Sequence, residues 1–249
     1  MTIVFVHGNP ETAAIWSPLL AAIERDDTVT LSPPGFGSPL PDNFDPTSDS
    51  YARWLVEELE KFDTPVDLVG HDWGGGHVMR AVIARPDLVN RWCLDIAGCF
   101  DPDYVWHDMA QLWQSEREGE AAVAGMAETP LESRVDGFME IGMTAEAARS
   151  CAEAAATPEM GRAILGLYRS AVQPRMTEWG NEMLPSMSGG RSLVVIATED
   201  HYTGGELLAR RTATRWGSEV AVLEGLGHWW MLQDPERAAT MLNRFFVVR

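Results

Sequence analysis

The chain has 249 residues, of which 45% are hydrophobic and 22% charged, with a formal charge of −18 and a pI near 4.6. This suits one large α/β domain with an inserted lobe and argues against a disordered chain, while the acidity disfavours nucleic acid and anionic membrane as partners. The three cysteines, Cys93, Cys99 and Cys151, are too few and too scattered for a disulfide framework or a zinc site.

The first predicted element is the strand "TIVFV" at 2–6, which follows Met1 so closely that no signal peptide is expected. No apolar run approaches the ~20 residues that span a bilayer, so a cytoplasmic protein is expected. "HGNP" at 7–10 turns the chain out of this strand into a predicted helix at 13–24, and "TVTLS" at 28–32 reads as the next strand. The loop "SPPGFGSPLPD" follows, then a helix at 50–62. "VDLVG" at 66–70 is a strand that breaks at "HDWGGG" and resumes as a helix at 75–84, with Asp72 at the apex of the turn. Gly70 and Gly74 flank Asp72, as a strained elbow requires where side chains would clash.

A strand is predicted at 91–97, after which the β pattern stops. Residues 99–188 read as helical, with segments at 103–115, 144–156 and 160–172, and are expected to form a cap over the strand ends. An ordinary helical subdomain packed for stability is the other reading. The β pattern resumes with strands at 192–198 and 219–225, and helices are predicted at 204–216 and 235–246. The alternation predicts an α/β fold: a mostly parallel sheet of about six strands, helices on both faces, a core of 1–98 and 189–249, and the cap inserted between.

Three polar groups follow predicted strands at one edge of the sheet: Asp72, Asp200 in "ATED" and His228 in "LGHWW". Nucleophile, acid and histidine in this order is the arrangement of nucleophile-elbow hydrolases. Glu199 and His201 flank Asp200 and are alternatives for its role. The backbone N–H groups of Asn9 and Trp73 are expected to converge on an oxygen of Asp72. His71 and His77 flank the elbow at a spacing that matches no metal-ligand motif, so neither metal nor cofactor is expected.

The segments "HGNPETAAIW", "GHDWGGG", "ATED" and "GHWW", in this order and strand context, resemble the α/β-hydrolase superfamily. The resemblance spans essentially the whole chain and is to the aspartate-nucleophile branch, epoxide hydrolases most and haloalkane dehalogenases next. Relatives usually carry an additional N-terminal hairpin before the "HGNP" strand, so a shorter sheet is expected here.

An aspartate attacking an ester would give an anhydride, whereas a carboxylate can displace a leaving group from saturated carbon and form an alkyl ester. Water deprotonated by His228 would then hydrolyse that ester, with Asp200 orienting the imidazole. The resemblance implies that Tyr168, in "GLYRSAVQP", is the proton donor to an opening epoxide. The second donor of such enzymes has no tyrosine in "VWHDMAQLWQS", which leaves Tyr104 or His107. It equally implies that Asn9 and Trp73 could aim N–H donors at a halide. Trp106, Trp113 and Trp229, with His7 and Pro10 of the "HGNP" turn, are candidate pocket residues for a small hydrophobic substrate, which reacts with water. Epoxide hydrolysis is the favoured reading, hydrolytic dehalogenation the next, and a binding protein without turnover the third.

Overall fold

The structure, a computed structural model, describes residues 1–246. The apolar runs form six strands: β1 (Ile3–Val6), β2 (Thr28–Leu31), β3 (Val66–Gly70), β4 (Val89–Leu94), β5 (Ser192–Ala197) and β6 (Glu219–Leu223). They make one sheet in the order β2-β1-β3-β4-β5-β6, parallel at every pairing. β1 and β3 are buried along their whole length and uninterrupted by exposed polar positions, as expected of central strands covered on both faces.

Helices α1 (Ser17–Ile23), α2 (Ser48–Leu59) and α3 (Trp73–Ala84) connect the first four strands. Between β4 and β5 lie α4 (Asp108–Gln114), α5 (Glu118–Glu128), α6 (Leu131–Glu140), α7 (Ala145–Ala154), α8 (Pro158–Arg169), α9 (Arg175–Glu182) and the short α10 (Pro185–Ser188). Then come α11 (Gly205–Trp216), α12 (Trp230–Gln233) and α13 (Pro235–Phe246). The chain leaves β1 towards one edge and returns from β2 past β1 to β3, so right-handed crossovers put α1 and α2 on opposite faces. The packing agrees: α1 contacts α13, and α2 contacts α3.

This reversal leaves a crevice at the carboxyl ends of β1 and β3. Register makes it useful, because Val6 at the end of β1 lies level with Gly70 at the end of β3. The two following loops, one carrying Asn9 and the other Asp72, therefore emerge side by side. The helices of 99–188 reach the rest of the chain at several points, including Ser150 Oγ to Thr12 Oγ1 (2.8 Å) and the Ser48 N–H donating to Ser170 Oγ (2.9 Å).

Among the element limits that differ from those read in the sequence, two bear on the site. The run at 91–97 overshoots: β4 spans Val89–Leu94, because the chain coils into a 3-10 turn at Ala97–Phe100. The segment at 103–115 is helical only from Asp108, where the His107 ring caps α4 by accepting the Ala110 N–H (3.3 Å). Tyr104 and Trp106 consequently lie on a non-helical stretch leading into it.

Candidate active site

Asp72 is a left-handed, non-glycine residue (φ 48°, ψ −130°) at the junction of β3 and α3. Such backbone is costly for a side-chain-bearing residue and persists only where the surroundings enforce it. They do so by close approach: a Cβ at Gly74 would strike the Val6 carbonyl, and one at Gly8 would strike the Asp72 side chain.

The Asn9 N–H donates to Asp72 Oδ1 at 2.9 Å, and the Trp73 backbone N–H acts on the same carboxylate. His228 presents Nε2 at 3.9 Å from Asp72 Oδ2, and its Nδ1 meets Asp200 Oδ2 at 2.8 Å. Asp200 is buried and takes the Tyr202 N–H on Oδ1 (2.8 Å), whereas its neighbours Glu199 and His201 are exposed. Asp72, Asp200, His228, Asn9 and Trp73 thus meet at one place.

The charges follow from these surroundings. Burial pushes the Asp72 carboxyl up to about 6, partly opposed by the His228 charge. Burial, the largest influence, would lower His228, but the Asp200 charge and hydrogen bond and the Asp72 charge together outweigh it and the net shift is upward. Asp200 is held below the ordinary carboxylate range, because the His228 charge and hydrogen bond overcome its burial.

Tyr168 is buried, edge-on to Trp73 and Trp106 with ring centroids 5.4 Å away in each case. Burial and then the Asp72 charge raise its phenol well above the usual value; the Trp73 and Asn9 side chains beside the hydroxyl oppose this. The side-chain amide of Asn9, itself buried, lies beside that hydroxyl and meets no other hydrogen-bond partner among the described residues. Tyr104, by contrast, donates its hydroxyl to the Tyr202 carbonyl at 2.8 Å. His107 accepts at Nδ1 as a helix cap, and burial lowers it to about 4, so the neutral ring carries its proton on Nε2.

The cavity over Asp72 has a volume of about 10 Å³, with Trp73, Ile96, Tyr104, Trp106, His107 and Tyr202 in its wall. Of the five aromatic and turn residues read as pocket walls, only Trp106 lines it. Trp113 stands behind Tyr168 at 4.9 Å, and Trp229 supports His228 edge-on at 4.8 Å. His7 is spent on Ser32 Oγ and the Gly8 carbonyl (3.0 Å each), and Pro10 follows a cis peptide bond in the turn, outside the cavity. Ring size and nearness in sequence cannot tell a wall from its support. A wider groove of about 580 Å³ has His228 in its wall, and Tyr202 lines both spaces.

Sequence reasoning missed a buried network beneath the elbow. His71 lies between Glu11 (Nε2 to Oε1, 3.1 Å) and Asp95 (Nδ1 to Oδ2). Glu11 accepts from the Gly8 N–H (2.9 Å) and the Trp229 indole; Asp95 accepts from the Asp72 N–H (3.0 Å) and the Trp230 indole (2.8 Å). A lone acid closing the apolar run "RWCLDIA" was the available signal for Asp95. Glu11, His71 and His228 also bring donor atoms within 4.8 Å of one another. Both ring nitrogens of His71 and both oxygens of Glu11 are already hydrogen-bonded, which fits an ion network better than a metal cradle.

A family model described as the alpha/beta hydrolase family matches residues 3–240. No curated protein matches the chain. Among solved structures, the Cif epoxide hydrolase from Acinetobacter nosocomialis is similar with a TM-score of 0.77 at 18% identity, over 99% of this chain and 82% of that one. A haloalkane dehalogenase loop variant from Bradyrhizobium elkanii gives 0.73 at 15% identity, over 98% and 89%. A meta-cleavage product hydrolase from Pseudomonas fluorescens gives 0.70 at 18%, over 99% and 90%. At these identities the likeness shows the fold, which all three share.

Proposed function

Because the chain belongs to the alpha/beta hydrolase family, we propose that it hydrolyses a small hydrophobic substrate at a saturated carbon, through an alkyl ester of Asp72. One observation carries this: the elbow bears a carboxylate whose Oδ1 accepts the Asn9 N–H, while Oδ2 faces His228. Oδ2 attacks the carbon and the bond to the leaving group breaks with its electron pair. Water then adds to Cγ of the ester, giving its proton to His228 Nε2. The charge that develops on Oδ1 is met by the Asn9 and Trp73 N–H groups, each of a kind worth ~3 kcal/mol. Collapse expels the alcohol oxygen, which takes the proton back from His228, and the second water proton, left on the Asp72 carboxyl, is given up to the donor that protonated the leaving group or, with a halide, to solvent. Asp200 keeps the ring oriented and stabilises its cation.

An epoxide is the favoured substrate. Its opening produces an alkoxide that needs a proton, and Tyr168 supplies a buried phenol beside the elbow. Tyr104 has its hydroxyl committed to a carbonyl, so the second donor is His107 through Nε2–H. In this reading 99–188 is a cap that brings both donors over Asp72. The second reading, hydrolytic dehalogenation, is favoured by the buried Asn9 amide, which meets only the Tyr168 hydroxyl among the described residues and is a donor suited to a halide that needs no proton. The deciding experiment offers the protein an alkyl epoxide and a 1-bromoalkane and measures diol and bromide separately. Diol with no bromide supports the first reading, bromide with no diol the second, and neither product overturns both.

A further inference from the structure

We propose that His71 is a permanent imidazolium, locked between the carboxylates of Glu11 and Asp95, and that this buried cation positions the site and keeps Asp72 ionised and His228 neutral. The part concerning Asp72 and His228 rests on the reading above; the protonation of His71 does not. A neutral imidazole has a single N–H, yet both ring nitrogens of His71 face carboxylate oxygens. With one proton, a nitrogen lone pair would oppose an oxygen lone pair in a fully buried place. The carboxylates themselves are the poor place for the second proton. Gly8 N–H and the Trp229 indole donate to Glu11, and Asp72 N–H and the Trp230 indole donate to Asp95. Four N–H donors stabilise the ionised acids. The proton therefore belongs to the ring.

The same bonds tie together the loops that carry Asn9, Asp72 and His228. Gly8 precedes the oxyanion-hole donor Asn9, Asp95 holds the amide of the nucleophile itself, and Trp229 and Trp230 follow the base. His71 is the hub, with its ring 4.5 Å from that of His228. The charged and titratable groups around it are Glu11 and His7 from the β1 side, Asp95 from β4, Asp72 beside it, and His228 with its partner Asp200. A fixed positive charge there favours the two states the reaction needs at once, a carboxylate at Asp72 and a neutral ring at His228. Glu11 works against both, so the imidazolium offsets an acid that the loop architecture requires.

Two measurements test this. Nitrogen-15 spectra of histidine-labelled wild-type protein should show both ring nitrogens of His71 protonated from pH 6 to 9; a neutral-tautomer pattern at pH 8 overturns the proposal, whether or not Asp72 is a nucleophile. In a His228→Gln background, expected to retain the ester, the rate of adduct formation with 1,2-epoxybutane is followed against pH by intact mass. Adding His71→Gln should move the midpoint of that profile upward by about one pH unit or more. A lower rate with an unmoved midpoint would mean a merely structural role and also overturns the proposal. Absence of any adduct before His71 is changed counts against the nucleophile reading and leaves the spectra to decide the protonation of His71.

Discussion

His228 Nε2 stands 3.9 Å from Asp72 Oδ2, beyond direct hydrogen-bonding distance yet facing it across a gap that a water can bridge. In a serine hydrolase the histidine must take a proton from the nucleophile and so must touch it. An aspartate is already ionised and has no proton to surrender. The offset therefore fits a base that acts on water in the second half-reaction.

From this separation of roles, Asp72→Asn is expected to abolish covalent adduct formation, whereas His228→Gln should accumulate one substrate equivalent on the protein. A single turnover of the wild type in oxygen-18 water should place the label in the Asp72 carboxylate instead of in the product. Label found only in the product would sink the ester mechanism.

The two half-reactions should also separate with pH. Asp72, raised to about 6 by burial, loses its nucleophilic form as pH falls through that value. His228 is raised above 6.5 because Asp200 and the Asp72 charge together outweigh its burial, so it loses its basic form at a higher pH than Asp72 does. Lowering the pH from about 8 to about 6 should then slow hydrolysis before alkylation, and wild-type ester should build up. Quenched samples weighed across that range check this; a steady ester level with falling turnover would contradict it.

The leaving-group donors can be told apart by substitution. Tyr168→Phe is expected to lower diol formation by about 10²-fold or more while leaving any bromide release unchanged. Asn9→Ala should do the reverse. Tyr104→Phe removes the bond to the Tyr202 carbonyl and a contact with the Cys99 thiol, so it should cost about 1 kcal/mol of stability with kcat kept within a few-fold. A loss of diol as large as that of Tyr168→Phe would return Tyr104 to the chemistry.

Tyr202 lines both the 10 Å³ space over Asp72 and the 580 Å³ groove that His228 borders, and the inner space is barely large enough for one water. Tyr202→Ala should join them and raise kcat/KM for a bulky epoxide relative to a small one. An unchanged ratio would place the route to Asp72 elsewhere.

Gly74→Ala would drive a methyl group into the Val6 carbonyl, with backbone on both sides and no room to yield. Loss of about 1–3 kcal/mol in urea unfolding is expected, with activity falling further because the elbow must shift. Gly125→Ala, on α5 with open space at its Cβ position, should instead be neutral or slightly stabilising.

The local chemistry of each loop was written in the sequence. Strand, glycine-flanked turn and helix around Asp72 follow from an apolar run, close-packed glycines and resumed helical spacing. All these are short-range properties. The order Asp72, Asp200, His228 and the parallel alternation were likewise readable, since a parallel sheet demands a crossover between successive strands.

What needed the tertiary structure was which residues share a space. Glu11, His71 and Asp95 lie far apart in the chain, and their bonds exist only because β1, β3 and β4 end side by side. Likewise, only packing separated Trp106, which lines the cavity, from Trp113 and Trp229, which stand behind the reacting groups. An aromatic side chain is equally apolar in either place, and its composition carries no direction. Sequence alone placed a carboxylate at the elbow, the residue on which the proposed reaction rests; the fold decided which neighbours surround that carboxylate.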